Sequence, residues 1–533
     1  QNFIGGAASL GPIAIENSTT LRPSSNLSAS GLSVGSGSTL DMQTNGVALT
    51  LSGGTITNDG TLKLDALNVT GPVTADDLTV DNGGSITSSG SLTIEGNLAL
   101  AGGTFSTSGN LFLLSEESGG NITDLAGIDR SGGGTLSGGV EIQRTFGDVK
   151  AGTGEDSGEW RQISAPTSST QFNALNAPFS TQGHPWADNP DGEAILYSYN
   201  GTGYVPEDTG TNTFSPGKGY FLFVFENDFN GVSILPTTWT IQGGENSDNL
   251  TPGTGSTFSL VGNPFFGYLD WDAVVNSNSG INSTYTVYDP SGGGYETYTS
   301  GGGGTGAPQY ISPMQGFWIE GGTVTLNKGD TGSPSNDAVL DNAAPPIPFV
   351  ELTVRGDNTE GGAVLHFMDS AESGRDLSDA TWLTPFGTQY TTMWSEVEGE
   401  RVSVDNRPSL TANQVEVYDL GFSTTEDGTY NLTWPRLNRI PDDWSLALRD
   451  NVTGEVVNMR TATEHTFTVS PGATASPSSS TTSPAGPQGA VTQEATDAPR
   501  FTVEISAAPL PVELTRFDAT ASGATAVLEW ATA

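Results

Sequence analysis

Residues 27–114 repeat a short pattern at close spacing, and few folds accommodate that. Three segments can be laid over one another. The first reads Leu49-x-Leu51, Gly53-Gly54, Ile56, Gly60, Leu62-x-Leu64. The second reads Leu78-x-Val80, Gly83-Gly84, Ile86, Gly90, Leu92-x-Ile94, and the third Leu98-x-Leu100, Gly102-Gly103, Phe105, Gly109, Leu111-x-Leu113. From the glycine pair onward the spacing is identical. Leu32-x-Val34 and Leu40-x-Met42 resemble a shorter, earlier turn. Each piece alternates apolar and polar residues, as a strand with one buried face does. Glycine allows a sharp corner between pieces because it accepts positive φ. Such frequent corners are too close for a sandwich. They suit a coil whose successive turns stack as parallel strands, a parallel β-solenoid, with antiparallel hairpins as the competing arrangement. The expected solenoid covers 27–139, and 1–26 form an N-terminal strand or cap.

The remainder reads as antiparallel β-sandwich domains, so the whole chain is expected to be all-β. Residues 140–329 are rich in aromatics, and Tyr220-Phe221-Leu222-Phe223-Val224-Phe225 reads as a buried strand. Residues 330–348 end in a proline-rich stretch and read as a linker. Residues 349–506 form a second sandwich domain. Within it, 471–499 is Ser/Thr/Pro-rich and is expected to be a flexible loop. Residues 507–533 supply two strands, a partial sandwich. A lone hairpin is marginally stable in water, so it would need another domain, another subunit or more chain.

Charge and cysteine content narrow the partners. The 533 residues hold 60 Asp and Glu against 18 Lys and Arg, a net charge of −42. Such a field repels phosphate backbones and anionic lipid headgroups, which argues against nucleic acid and membrane surfaces. It suits divalent cations and a salty medium. Cysteine is absent, which excludes disulfides, thiolate metal sites and cysteine nucleophiles. No apolar run is long enough to span a bilayer as a helix. The chain begins at Gln1 without Met, as a mature exported protein would.

The C-terminal residues Pro509-Leu510-Pro511-Val512-Glu513-Leu514-Thr515-Arg516-Phe517, then Val527-Leu528-Glu529-Trp530-Ala531-Thr532-Ala533, resemble the sandwich that precedes the sorting domain in Bacteroidota type IX secretion cargo. Leu260-Val261-Gly262-Asn263-Pro264-Phe265, Leu269-Asp270-Trp271 and Tyr310-Ile311-Ser312-Pro313-Met314-Gln315-Gly316-Phe317-Trp318 are similar to segments of large surface proteins from that group. The resemblance implies passage across the outer membrane and a cell-surface or extracellular location. It implies no chemistry. No sorting domain follows here, which departs from the family's usual end.

Candidate sites follow from residue chemistry. His184, His366 and His465 lack metal-ligand spacing. Gly31-Leu32-Ser33-Val34-Gly35 matches a nucleophile elbow in letters, but no helix is expected after it. The chain is therefore expected not to be an enzyme. Asp188, Asp191 and Glu193 cluster around a glycine turn and could hold Ca²⁺, against a plain acidic turn. Trp271 and Trp318 could present a sugar-stacking face, against a place in a core. Asp369-Ser370-Ala371 resembles the O-glycosylation signal of the same bacterial group, with Ser370 as acceptor. Phe3, Ile4, Leu10, Ile13 and Ile15 could cap the coil or pair with a neighbouring molecule. Val512, Leu514, Phe517, Leu528 and Trp530 form the matching C-terminal set.

Together these readings predict an extracellular structural protein, a filament or sheath subunit joined to its own copies or other surface proteins by strand exchange. A glycan-binding adhesin is the alternative, and a polysaccharide-active enzyme the third. No cofactor is required, and Ca²⁺ is the ion that the acidic turn would suit.

Overall fold

The structure is a computed structural model. It describes residues 10–147, 158–334, 348–469, 499–507 and 514–532, less positions 60, 76, 81–84, 119–120, 229, 253–257, 290–293, 302–303, 322, 358, 369–370, 377, 384–389, 426, 436, 439 and 523–524. The fold is nearly all β, and its one α-helix among the described residues is Trp271–Ser277. Among the described residues no helix is long and apolar enough to cross a membrane.

The N-terminal region is built from parallel sheets that the chain visits in rotation. Ile13–Ile15, Leu32–Val34, Gly54–Asn58, Val73–Ala75, Leu92–Ile94 and Leu111–Leu113 pair successively in one sheet. Leu27–Ala29, Ala48–Leu51, Ala66–Val69, Ser85–Ser88, Thr104–Ser106 and Thr135–Ser137 pair successively in a second. The third position is taken first by Thr20–Leu21, Thr39–Asp41 and Thr61–Lys63. Leu78–Val80, Asn97–Leu100 and Gly127–Asp129 take it afterwards. Every turn therefore uses three strands, and Val73, Leu92 and Leu111 meet in register. Inward positions are almost wholly aliphatic: Leu49, Leu67, Ile86 and Phe105 stack in one column, each at most 1% exposed. Some corners leave no room for a side chain. A Cβ on Gly71 would sit 1.9 Å from the Ser52 carbonyl oxygen of the preceding turn.

The register corrects the superposition of the repeats. The second and third segments are in phase, since Leu78 pairs with Leu98, Ile86 with Phe105 and Leu92 with Leu111. The first is one side out: Leu49 lies in the column of Ile86, not that of Leu78. Ala66–Val69 and Val73–Ala75, which lie between the superimposed segments, are also strands of the stack. All three sides ask for the same thing, an alternating strand ending in a tight corner, so likeness between two strands does not say which side each occupies.

The expected boundary at 139/140 falls inside a strand. Gly139–Phe146 pairs in parallel with Leu111–Leu113 and, along its other edge, antiparallel with Thr237–Gly244. One hydrophobic core runs from Ile15 through Ile142 to Trp239 and Met314. Beyond it lie two four-stranded antiparallel sheets. One contains Gly158–Ile163, Tyr220–Phe225, Leu196–Tyr199 and Tyr204–Pro206. The other contains Phe258–Gly262, Gly316–Glu320, Thr284–Asp289 and Gly294–Thr299. Trp160, Tyr199, Phe221, Phe258, Tyr288 and Trp318 from both sheets form one cluster. The expected linker starts too early, because Thr331–Gly332 pairs with Tyr268–Leu269. Most of it, 335–347, lies outside the described residues.

Residues 349–506 form a single curled sheet rather than two facing ones. Its strand order runs from Val456–Asn458 and Ser445–Asp450 at one end to Gly428–Thr433 and Glu464–Val469 at the other. The ends approach: Phe467 packs on Phe501 at 5.0 Å, and His465 Nε2 lies 3.2 Å from an Asp450 carboxylate oxygen. The sheet is thus a nearly closed barrel filled by aromatics, including Tyr418, Trp434 and Trp444. Continuous pairing through Val415–Thr424 and Phe501–Ser506 is what removes a second layer. The expected flexible loop, save Pro499 at its end, lies outside the described residues. Leu514–Ser522 and Thr525–Thr532 form the separate C-terminal hairpin.

Candidate functional site

The first end of the parallel stack is built from very short strands. Ile13 donates to the Gly31 carbonyl (3.0 Å), and the Ile15 carbonyl accepts from Gly35 (2.9 Å). Strand alternation therefore turns the N–H and C=O of exposed Ala14 to the opposite edge. Among the described residues no strand pairs with that edge. Leu10 bridges to Ala29 and begins to cover the neighbouring sheet. Ile13 is half-buried and Ile15 buried. One buried carboxylate organises the corner above. Asp41 accepts from the Thr44 hydroxyl (2.7 Å), the Thr44 amide (2.9 Å) and Arg22 (2.9 Å). These bonds, the Thr44 hydroxyl foremost, hold its pKa down at about 2.

At the last end the first of the three sheets is covered. Thr237–Gly244 covers Gly139–Phe146 along its length, and Trp239 lies beneath it, 1% exposed. Arg130, directly after Gly127–Asp129, meets Glu245 at 2.5 Å, and Lys328 reaches the same carboxylate at 3.2 Å. All three side chains are mostly buried, and Arg130 also donates to the Gly134 carbonyl. Tyr268 lies over Gly127 and donates its hydroxyl to the Leu125 carbonyl at 2.5 Å.

A second charged joint links the aromatic region to the barrel. Arg375 donates to Glu320 at 2.7 Å, while the other Glu320 oxygen accepts from the Thr381 amide and Asn282. Asp379 accepts from the Asn406 and Asp376 amides, and burial pushes its pKa up to about 6. Leu383 completes the cluster around Trp318.

The candidate residues fare unequally. Trp271 and Trp318 are 0% and 1% exposed, so neither can stack on a sugar; this corrects the glycan-face reading. Trp271 packs on Tyr285 and Phe317, and its indole donates to the Ser283 carbonyl. Asp188, Asp191 and Glu193 lie in one irregular stretch where Asp188 accepts from Thr181. Among the described residues no cluster of three or more His, Asp or Glu has metal-holding geometry. Ser33 sits mid-strand between Ala14 and Thr57. Buried His184 accepts at Nε2 from the Ile195 and Leu196 amides, faces Asp208 with Nδ1, and stacks on Trp186. His366 is buried against Asn406, and burial lowers its pKa to about 4. These are structural placements. Phe3, Ile4, Ser370 and Val512 lie outside the described residues. Leu514, Phe517, Leu528 and Trp530 lie in the C-terminal hairpin.

Sequence reasoning missed Arg130, Glu245, Lys328, Arg375 and Glu320. A signal was available. With 18 basic residues against 60 acidic ones, each Lys or Arg is a candidate anchor for a buried carboxylate. Comparison with known protein families, curated proteins and solved structures finds no match.

Proposed function

We propose that this protein is an extracellular structural building block whose copies join end to end by strand pairing. In this reading the N-terminal region is a β-solenoid, the aromatic region after it is of sandwich type, and export follows the type IX route that the C-terminal motif suggests. The observation carrying the proposal is the outward edge of Ile13–Ile15, set against the far edge of the same sheet, which Thr237–Gly244 already occupies. The partner is a second copy, which would contribute an edge of its hairpin Leu514–Ser522 or Thr525–Thr532. A head-to-tail contact of this kind does not close on itself and gives open fibres.

Ala14→Pro tests it. Proline removes the outward N–H and leaves the bonds of Ile13 and Ile15 to the next turn in place. Negative-stain imaging of the purified chain should show filaments that Ala14→Pro abolishes, while its far-ultraviolet circular dichroism stays unchanged. Unaltered filaments, or a chain that stays monomeric throughout, would remove the proposal.

A further inference from the structure

The aromatic region and the barrel meet along a seam that sets carboxylates against one another. Gly294–Thr299 is the last strand of its sheet, and it packs against the barrel strand Glu360–Phe367. Val287 lies opposite Glu296 and Tyr285 opposite Tyr298, so Glu296 shares its side of the sheet with residues of an apolar core. Gly306 crowds the carboxylate: a Cβ there would stand 2.7 Å from Glu296 Oε1. On the barrel, Glu351 lies opposite Val364 and Arg355 opposite Glu360. The intervening Val350, Leu352 and Val354 belong to the barrel core, so Glu351 and Glu360 point outward. The charges acting on Glu296 are Asp289 of its own hairpin and Glu360 and Glu351 of the barrel, all negative. Two phenols complete its surroundings, Tyr285 and Tyr298, and the second turns its hydroxyl to Asp272. Arg355 is paired with Glu360 and lies 69% exposed. Burial foremost, and then the three carboxylates, push the pKa of Glu296 from 4.5 up to about 8.

We infer that this seam is a pH-operated joint, closed while Glu296 carries a proton and loosened once Glu296 is ionised against Glu351 and Glu360. An opened seam returns Glu296 to water and toward its ordinary pKa of 4.5. The closed form is therefore undisturbed below pH 4.5, loses stability progressively from there to about pH 8, and loses no more above it. Asp379 acts in the same direction, since its pKa is raised to about 6, with burial the foremost cause and Asp405 adding to it. The other side of the joint does not depend on Glu296. Arg375 holds Glu320 at 2.7 Å, Asn282 donates to the Asp379 carbonyl, and Leu383 packs into the cluster around Trp318. Loosening at Glu296 thus swings the two bodies about a retained contact and does not part them. The inference concerns neither end of the parallel stack and does not rest on end-to-end joining.

Hydrogen exchange of the full chain at pH 5 and pH 9 tests it, with rates divided by those of free amides at each pH. Protection across Gly294–Thr299 should fall by about tenfold from pH 5 to pH 9, while Leu92–Ile94, inside the stack, keeps its protection. No fall at Gly294–Thr299, or an equal fall at Leu92–Ile94, overturns the inference from the native chain alone. Glu296→Gln keeps a neutral side chain of the same size at every pH. It should hold Gly294–Thr299 at its pH 5 protection through pH 9. A fall as large as that of the native chain would show that Glu296 does not operate the joint.

Discussion

The two ends of the parallel stack solve one problem in opposite ways. Each turn leaves its last strands with an unused row of N–H and C=O groups, a template for further pairing. At the last end a long antiparallel strand occupies that template on the first sheet, beside a buried tryptophan and a three-residue ion cluster. At the first end the strands are two or three residues long, and an outward edge runs beside Ala14. The lesson is that the first sheet stops growing in parallel where a foreign antiparallel strand takes its edge. The aromatic region serves as that element at one end, and it shares the core of the stack instead of forming a separate body.

The comparison breaks most readily at Glu245. Its removal leaves Arg130 and Lys328 without their shared carboxylate in a mostly buried setting. Truncating one member of a buried ion pair costs about 3–5 kcal/mol. Glu245→Ala should therefore lower the midpoint of thermal unfolding strongly. A shift no larger than that of an exposed Glu→Ala control would show that the cluster does not seal the stack.

A matched pair of core truncations sharpens the contrast. Ile142 is 0% exposed beneath the sealing strand, and Ile15 is 4% exposed at the open end. Large-to-small changes in a core cost about 2–5 kcal/mol, least where the site can relax. Ile142→Ala should fall at the upper part of that range and Ile15→Ala at or below its lower limit, measured by urea unfolding. Equal losses would mean that both ends are equally constrained.

Much of this architecture was legible, and what was not has a physical reason. Alternation and glycine corners are local, so the parallel strands could be read from 27–114 directly. Phase was not local: every side imposes the same demand, and only pairing across turns separates Leu49 from Leu78. The seal was illegible because Thr237–Gly244 meets Gly139–Phe146 only in the folded chain. Glu245 then reads as one acid among 60, although its two partners come from a set of only 18. Trp271 and Trp318 show the same limit from the other side. An aromatic motif looks alike in a core and on a binding face, and burial decides between them.

Asp41 gives the smallest and most local test. Its pKa of about 2 lies below the usual 3.8, so the folded state favours the charged form. That contribution to stability is present in full above pH 4 and is lost as pH falls toward 2. The loss should be confined to the open end, because the Thr44 hydroxyl and amide and Arg22 all belong to the first turns. Asp41→Asn should cost about 1 kcal/mol at neutral pH and flatten the acid response of amide exchange at Leu32–Val34 and Thr39–Asp41. Strands Val73–Ala75 and Leu92–Ile94, deeper in the stack, should exchange as before. If acid loosened those inner strands equally, the open end would be no weaker than the rest, and the asymmetry between the two ends would have to lie in pairing alone rather than in stability.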